Sequence, residues 1–220
     1  MAITRVNNHR AGGEKMRKVT FLLAVMMTIV TAGKYDKVKI TPEMAYIYVY
    51  HKGKAVKVHR IQDTKHKLTG EYAKTFRPGK SIQPIKMNQQ IQTIGEVELL
   101  QYMQRKVNKK KGILVDVRAK EDYKKESIPS AVNIPARVKD NPAKLEKILK
   151  VLGAKRGADG SLDTSHVLDI AFYCHGLWCN KSSEFIDKLL EVGYPADKIL
   201  YYRGGFQMWK ILGFTTVTNQ

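Results

Sequence analysis

The fold is decided at residues 172–182, which read Phe172-Tyr173-Cys174-His175-Gly176-Leu177-Trp178-Cys179-Asn180-Lys181-Ser182 and contain both cysteines of the 220-residue chain. An apolar run precedes this stretch and an amphipathic one follows it, a pattern that predicts a strand, a tight loop and a helix. Cys174 then lies at the exit of the strand, where the helix start adds partial positive charge. That environment favours the thiolate, which attacks sulfur or phosphorus. A buried, unreactive Cys174 is the alternative interpretation.

Helix-like and strand-like patterns alternate around this loop. Helical patterns cover 96–107, 120–125, 142–152, 182–192 and 206–212, and strand patterns cover 112–117, 131–134, 167–173 and 199–202. This alternation predicts an α/β fold with a central parallel sheet and helices on both faces. In such sheets the functional crevice lies at the carboxyl ends of the strands, where Cys174 is placed. Residues 153–163 are predicted to form a loop.

Residues 34–92 form a separate segment with a different composition. Strand patterns at 46–50 and 55–61 predict a small basic extension of strands and loops that packs on the main domain, with a break at 77–80. Most of the net charge of +19 lies upstream of residue 112. Such an excess suits a protein partner or, more weakly, an anionic membrane surface. A solvated basic face is the alternative, and no nucleic-acid-binding motif is present.

The first 33 residues carry the features of an export signal. Met16, Arg17 and Lys18 precede an uncharged run at 19–32, which is too short to span a bilayer comfortably but fits a signal-peptide core. We therefore predict a signal peptide at 1–33, with 1–15 as an upstream extension, and export to a bacterial periplasm. A buried helix of the folded domain is the alternative.

Three ordered motifs resemble those of the rhodanese-like domain family. The first comprises 114–118 (LVDVR), 121–123 (EDY) and 128–135 (IPSAVNIP). The second is the Tyr173-Cys174 loop followed by a helix, and the third is 202–206 (YRGGF) followed by Trp209 and Gly213. The resemblance covers 93–218 and implies the rhodanese fold. The C-x-G-x-x-C spacing resembles that of exported bacterial members with an extended active-site loop.

The resemblance implies a sulfurtransferase. We expect no cofactor and no metal, because the two cysteines cannot form a zinc site alone. Cys174 would take sulfane sulfur from a small donor such as thiosulfate, carry it as a persulfide, and pass it to a thiol or another nucleophilic acceptor. Backbone N–H groups of the loop would stabilise the thiolate and then the persulfide anion. The residues of this loop are His175, Gly176, Leu177, Trp178, Cys179, Asn180, Lys181 and Ser182. Asp116 and Arg118 match residues that we interpret as structural support.

The loop departs from the family pattern in two ways. Six residues separate Cys174 from Lys181, which stands where the family has an arginine, and lysine lacks the planar fork that grips an oxyanion. The second departure is Cys179, either a resolving thiol that releases sulfide and leaves a disulfide, or a core residue.

Other loop residues have open interpretations. His175 would lower the pKa of Cys174 or donate to a substrate oxyanion, and Gly176 would have a positive φ or allow close approach to a ligand. Trp178 would form a lid, dock a partner or join the core, and Lys181 would supply electrostatic help.

Two other functions compete with sulfur transfer. One is a thiol–disulfide switch that uses Cys174 and Cys179 with little sulfur transfer. The other is a catalytically inactive rhodanese module that binds a protein partner through Trp178 and the basic extension.

Overall fold

A computed structural model describes residues 37–75 and 81–220 of the chain. The predicted signal peptide at 1–33 and the predicted break at 77–80 lie outside these ranges. Within them, no helix is both long enough and apolar enough to cross a bilayer.

The described residues form nine strands and five α-helices in an alternating order. The strands are β1 (Tyr46–His51), β2 (Lys54–His59), β3 (Gln92–Ile94), β4 (Gly112–Asp116), β5 (Ala131–Asn133), β6 (Lys155–Arg156), β7 (Leu162–Asp163), β8 (Asp169–Tyr173) and β9 (Ile199–Tyr202). The helices are α1 (Glu96–Tyr102), α2 (Lys120–Lys125), α3 (Pro142–Val151), α4 (Lys181–Glu191) and α5 (Gly205–Ile211). A π-helical turn at Met103–Val107 continues α1.

The central sheet has five parallel strands in the order β3-β9-β8-β4-β5, with β8 in the middle. The predicted α/β fold class, a parallel sheet with helices on both faces, is confirmed. Asp116 at the end of β4 pairs with Tyr173 at the end of β8. Cys174 therefore leaves the sheet at the carboxyl end of its central strand.

Each face of the sheet has its own core, because successive side chains of a strand point to opposite faces. On one face Ile170 and Phe172 pack with buried leucines of α3 and α4. On the other face Ala171 and Tyr173 pack with α1, α5 and the β1–β2 hairpin. The hairpin contributes Ile47, Val49 and Val58, all at most 1% exposed. The hairpin is thus part of the second core.

Two strand features were not predicted from the sequence. The stretch 153–163, predicted to be a loop, contains the short antiparallel pair β6–β7. Strand β3 was also not predicted, and the predicted boundary between residues 92 and 93 falls inside it. Both are two- or three-residue strands with mostly polar side chains, too short for a periodic pattern to appear.

Candidate active site

Cys174 and Cys179 lie together at the carboxyl end of β8. Their sulfur atoms are bonded, with 6.1 Å between the Cα atoms. Their exposed fractions are only 3% and 7%. Cys179 thus belongs to the core on the sheet face of Ile170 and Phe172, and it also forms a disulfide bond with Cys174. The two sequence interpretations of Cys179 are compatible in this structure.

Helix α5 holds in place the loop 174–180 between β8 and α4, here called the cysteine loop. The backbone N–H of Phe206 donates to the carbonyl of Cys174 at 2.8 Å, and that of Gln207 donates to His175 at 2.7 Å. Gly205 precedes them with φ +63°, and a Cβ atom there would lie 2.7 Å from the Cys174 carbonyl oxygen. This close approach accounts for glycine at position 205.

Gly176 does not have the positive φ that was one of its two predicted roles. A Cβ atom on Gly176 would meet the Trp178 ring at 2.6 Å and the side chain of Gln207 at 2.9 Å. Glycine at this position lets the half-buried Trp178 fold back over the loop. Whether the loop also approaches a ligand there stays a prediction.

His175 links the cysteines to a carboxylate on another element. Its Nδ1 atom lies 3.4 Å from the Cys174 Sγ, and its Nε2 atom lies 3.0 Å from Oδ2 of Asp122 in the first turn of α2. Because an ionised carboxylate only accepts hydrogen bonds, Nε2 carries the proton and donates it. The lone pair of Nδ1 then faces the sulfur atoms.

The environment of His175 favours its neutral form. Burial lowers the pKa of His175, the hydrogen bond and charge of Asp122 raise it, and the cations Arg118 and Lys181 lower it again, with a net decrease. A neutral imidazole at this position can accept a proton from a thiol.

Sequence reasoning missed Asp122 as a site residue, although it lies within one of the quoted motifs. The signal was available in part: α2 begins just after β4, so its first turn lies at the same edge of the sheet as the cysteine loop. The pairing with His175, 53 positions along the chain, is set by the tertiary structure.

Asp116 and Arg118 form a buried ion pair beneath this edge. The guanidinium donates from Nε and Nη2 to the Asp116 carboxylate, at 3.0 and 2.7 Å. The Tyr173 hydroxyl donates to the same carboxylate at 2.7 Å. The Arg118 guanidinium also lies 4.0 Å from the centre of the Phe206 ring. These contacts tie β4, β8 and α5 together, which is the geometry a structural role requires.

The predicted residues at the end of the loop have different surroundings. Lys181 is the exposed first residue of α4, and it lines a cleft of about 340 Å³. Three further cations, Lys120, Arg137 and Lys139, and three carboxylates also line this cleft. The exposed Asn180 donates to Glu184 at 2.6 Å. Ser182 is fully buried, and within the described part of the chain its hydroxyl has no hydrogen-bond partner.

The segment before β3 crosses the loop. The N–H of Gln83 donates to the carbonyl of Leu177 at 2.7 Å, and the carbonyl of Gln83 accepts from Arg203 Nε at 2.9 Å. Within the loop, the N–H of Cys179 donates to the carbonyl of Gly176 at 2.9 Å. The predicted set of inward N–H donors therefore does not include that of Cys179.

Several solved structures resemble this chain. A Bacillus halodurans protein is 23% identical, with a TM-score of 0.43, over 58% of this chain and 77% of its own. A Pseudomonas aeruginosa thiosulfate sulfurtransferase is 16% identical, with a TM-score of 0.42, over 59% of this chain but only 21% of its own. An Escherichia coli rhodanese is 26% identical, with a TM-score of 0.32, over 49% of this chain and 98% of its own.

The family assignment rests on the sequence match. No curated protein matches the chain. Residues 99–212, just over half of the chain, match the family model described as Rhodanese-like domain. The motifs quoted above, from Leu114 to the Gly204-Gly205 pair, lie within this match. The chain therefore belongs to the rhodanese-like domain family.

Proposed function

We propose that the protein is a sulfurtransferase in which Cys174 carries sulfane sulfur as a persulfide. The observation that carries this proposal is the position of the Cys174 sulfur, at the end of the central strand and 3.4 Å from Nδ1 of His175. In the reduced protein a neutral imidazole at this distance accepts the thiol proton, which leaves the nucleophilic thiolate. Asp122 orients the ring and stabilises the imidazolium.

Sulfur transfer then needs two displacements. The Cys174 thiolate attacks the outer sulfur of a donor such as thiosulfate, the S–S bond of the donor breaks, and sulfite leaves with the bonding pair. A thiolate acceptor next attacks the outer sulfur of the persulfide, and the Cys174 thiolate leaves. The cleft that Lys181 lines holds four cations and three carboxylates, so its charge favours an anionic donor only weakly.

A thiol–disulfide switch is the second candidate, and the bond between Cys174 and Cys179 favours it. The two thiols lose two electrons and two protons to an oxidant such as a small-molecule disulfide, and a dithiol reductant reverses the step. The two candidates share an intermediate reaction. If the Cys179 thiolate attacks the inner sulfur of a Cys174 persulfide, hydrosulfide leaves and the same disulfide forms.

Intact-mass spectrometry of the reduced full-length protein distinguishes these functions. Treatment with thiosulfate is expected to add about 32 Da at Cys174, and Cys179→Ser is expected to accumulate this form because the resolving thiol is gone. Transfer activity that survives Cys174→Ser overturns the proposal. A loss of about 2 Da under mild oxidation, with no sulfur gained, supports the switch instead. If neither mass change is observed, the catalytically inactive, partner-binding module is the remaining candidate function.

We also propose that the chain is exported and that its basic extension contacts a protein partner. A Cys174–Cys179 disulfide persists in an oxidising compartment, which fits export. Cell fractionation with N-terminal sequencing tests the first point, with a mature terminus near Gly33 expected. Retention of the full-length protein in the cytosol would contradict it. Crosslinking of the mature protein in cells, followed by loss of the crosslink on charge reversal in the extension, tests the second.

A further inference from the structure

Three soft donor atoms converge at the cysteine loop. The sulfur atoms of Cys174 and Cys179 and the Nδ1 atom of His175 all lie within 4.8 Å of one another. The two sulfur–nitrogen distances are 3.4 and 3.9 Å. Two donors bound to one ion at about 2.0–2.3 Å each are separated by a similar distance. Once the disulfide is reduced, rotation of the two cysteine side chains can bring the sulfur atoms to a similar separation. Two thiolates and an imidazole nitrogen could then bind a single metal ion.

The hydrogen bond to Asp122 prepares His175 for this role. A metal-binding histidine almost always donates its other ring N–H to a carboxylate or carbonyl, which fixes the tautomer and raises the basicity of the ligand nitrogen. The Nε2 atom of His175 has this partner at 3.0 Å. The free lone pair of Nδ1 therefore faces the sulfur atoms.

We propose that the reduced protein binds one Cu(I) ion through Cys174, Cys179 and His175, with Asp122 orienting the histidine. This inference concerns a second use of the two thiols and does not depend on sulfur transfer. The sequence predicts no metal site, because two cysteines alone are too few ligands for zinc.

The donor set favours Cu(I) over Zn(II). Thiolates select soft ions, and structural zinc is almost always held by four protein ligands. In residues 37–75 and 81–220 the group of clustered metal-binding side chains has three members and no fourth. Both cysteines are nearly buried, which limits the access of water as a fourth ligand. Two thiolates, one imidazole and Cu(I) make a three-coordinate site with one net negative charge.

Competition for Cu(I) tests the proposal on the full-length protein, reduced under anaerobic conditions. The protein is titrated into a Cu(I) complex of a chromophoric chelator, and one equivalent of copper is expected to move to the protein. Cys179→Ser is expected to lower the affinity at least 100-fold. Asp122→Asn is expected to lower it about 10- to 100-fold, as is typical when the partner of a ligand histidine is lost. Glu121→Gln, an exposed neighbour on α2, is the matched control and is expected to leave the affinity unchanged.

Two further measurements make the result independent of folding and of sulfur transfer. X-ray absorption at the copper edge is expected to show two sulfur ligands and one nitrogen, and circular dichroism checks the fold of each variant. Failure to withdraw copper, wild-type affinity in Cys179→Ser, or tighter binding of Zn(II) than of Cu(I) would overturn the proposal. Persulfide formation by the metal-free protein, measured on the same samples, reports separately on the sulfurtransferase.

Discussion

His51 in the hairpin and His175 in the cysteine loop are both shielded from solvent, but their hydrogen bonds differ. In the hairpin, Nδ1 of His51 accepts from the Ser130 N–H at 3.1 Å, so Nε2 donates to Oδ1 of Asn219 at 2.8 Å. In the cysteine loop, His175 binds Asp122 with one nitrogen and faces the sulfur atoms with the other. Burial is the largest cause of the lowered pKa of each histidine. A shifted pKa therefore does not distinguish the two roles, whereas the partner of the second nitrogen does.

The largest effect on stability is expected where helix α5 supports the loop that carries His175. Gly205→Ala places a β-carbon against the backbone of Cys174 and Gly176 at a positive φ, and neither backbone can move freely. We expect the free energy of unfolding to fall by about 3 kcal/mol, from overpacking and left-handed strain combined. Denaturant titration measures this loss. Gly176→Ala is the control, because its β-carbon meets side chains; equal losses in both variants would contradict the interpretation.

Replacing His175 is expected to affect activity more than stability. His175→Gln removes the proton acceptor that we propose for Cys174, so kcat/KM for the proposed sulfur transfer should fall about 100-fold, in the range of general base catalysis. The free energy of unfolding should change by less than about 1 kcal/mol, because the half-buried side chain supports little of the core. Steady-state kinetics and denaturant titration on one preparation check both. An unchanged rate would remove His175 from the mechanism.

The opposite result is expected for the hairpin histidine. His51→Ala leaves the buried Ser130 N–H and the Asn219 amide oxygen without their partner, which should lower the free energy of unfolding by about 2 kcal/mol. Sulfur transfer per folded molecule should be unchanged. A loss of activity without a loss of stability would break the comparison between the two histidines.

Acid should weaken the hairpin contact, which consists of the hydrogen bonds of His51 with the Ser130 N–H and with Oδ1 of Asn219. Burial lowers its pKa below the ordinary 6.5, the bond to Asn219 raises it, and Lys52 lowers it, with a net decrease. The unfolded chain therefore takes up this proton before the folded protein does, and the stability that neutral His51 contributes falls as the pH drops below 6.5. Unfolding free energies of wild type and His51→Gln should converge in that range. Replacement of the exposed His166 by Gln is the control. If the free energies of unfolding of wild type and His51→Gln stay parallel as the pH falls, the prediction is contradicted.

The sequence predicts the secondary-structure elements of both regions but the partner of neither histidine. Periodicity locates β8 and α4, so the loop that joins them, and Cys174 within it, follows from the chain order alone. The hairpin strands are also predictable, but His51 falls between the two predicted strand patterns, and nothing local indicates its partner. Its role depends on Asn219, 168 positions away, just as that of His175 depends on Asp122. Local patterns specify elements and the edge where they end, while side-chain pairs between elements require the packed structure.

The smallest expected effect is a gain in stability at the hairpin contact. Ser130 has φ 70°, and its buried hydroxyl has no hydrogen-bond partner within the described residues. Only its backbone N–H is used by His51. Ser130→Gly keeps this donor and removes both the left-handed strain and the unpaired hydroxyl, so we expect the free energy of unfolding to rise by about 1 kcal/mol.

Ser130→Ala separates the two causes of this gain. It removes the hydroxyl but keeps the β-carbon at positive φ, so it should recover only the part due to the unpaired group. Denaturant titration of both variants measures the difference. If Ser130→Gly is less stable than wild type, the hydroxyl contributes an interaction of its own, and the contact at His51 is more than a backbone hydrogen bond. If it is more stable, the hairpin contact needs only a main-chain donor, whereas the cysteine loop needs the Asp122 side chain to hold its histidine.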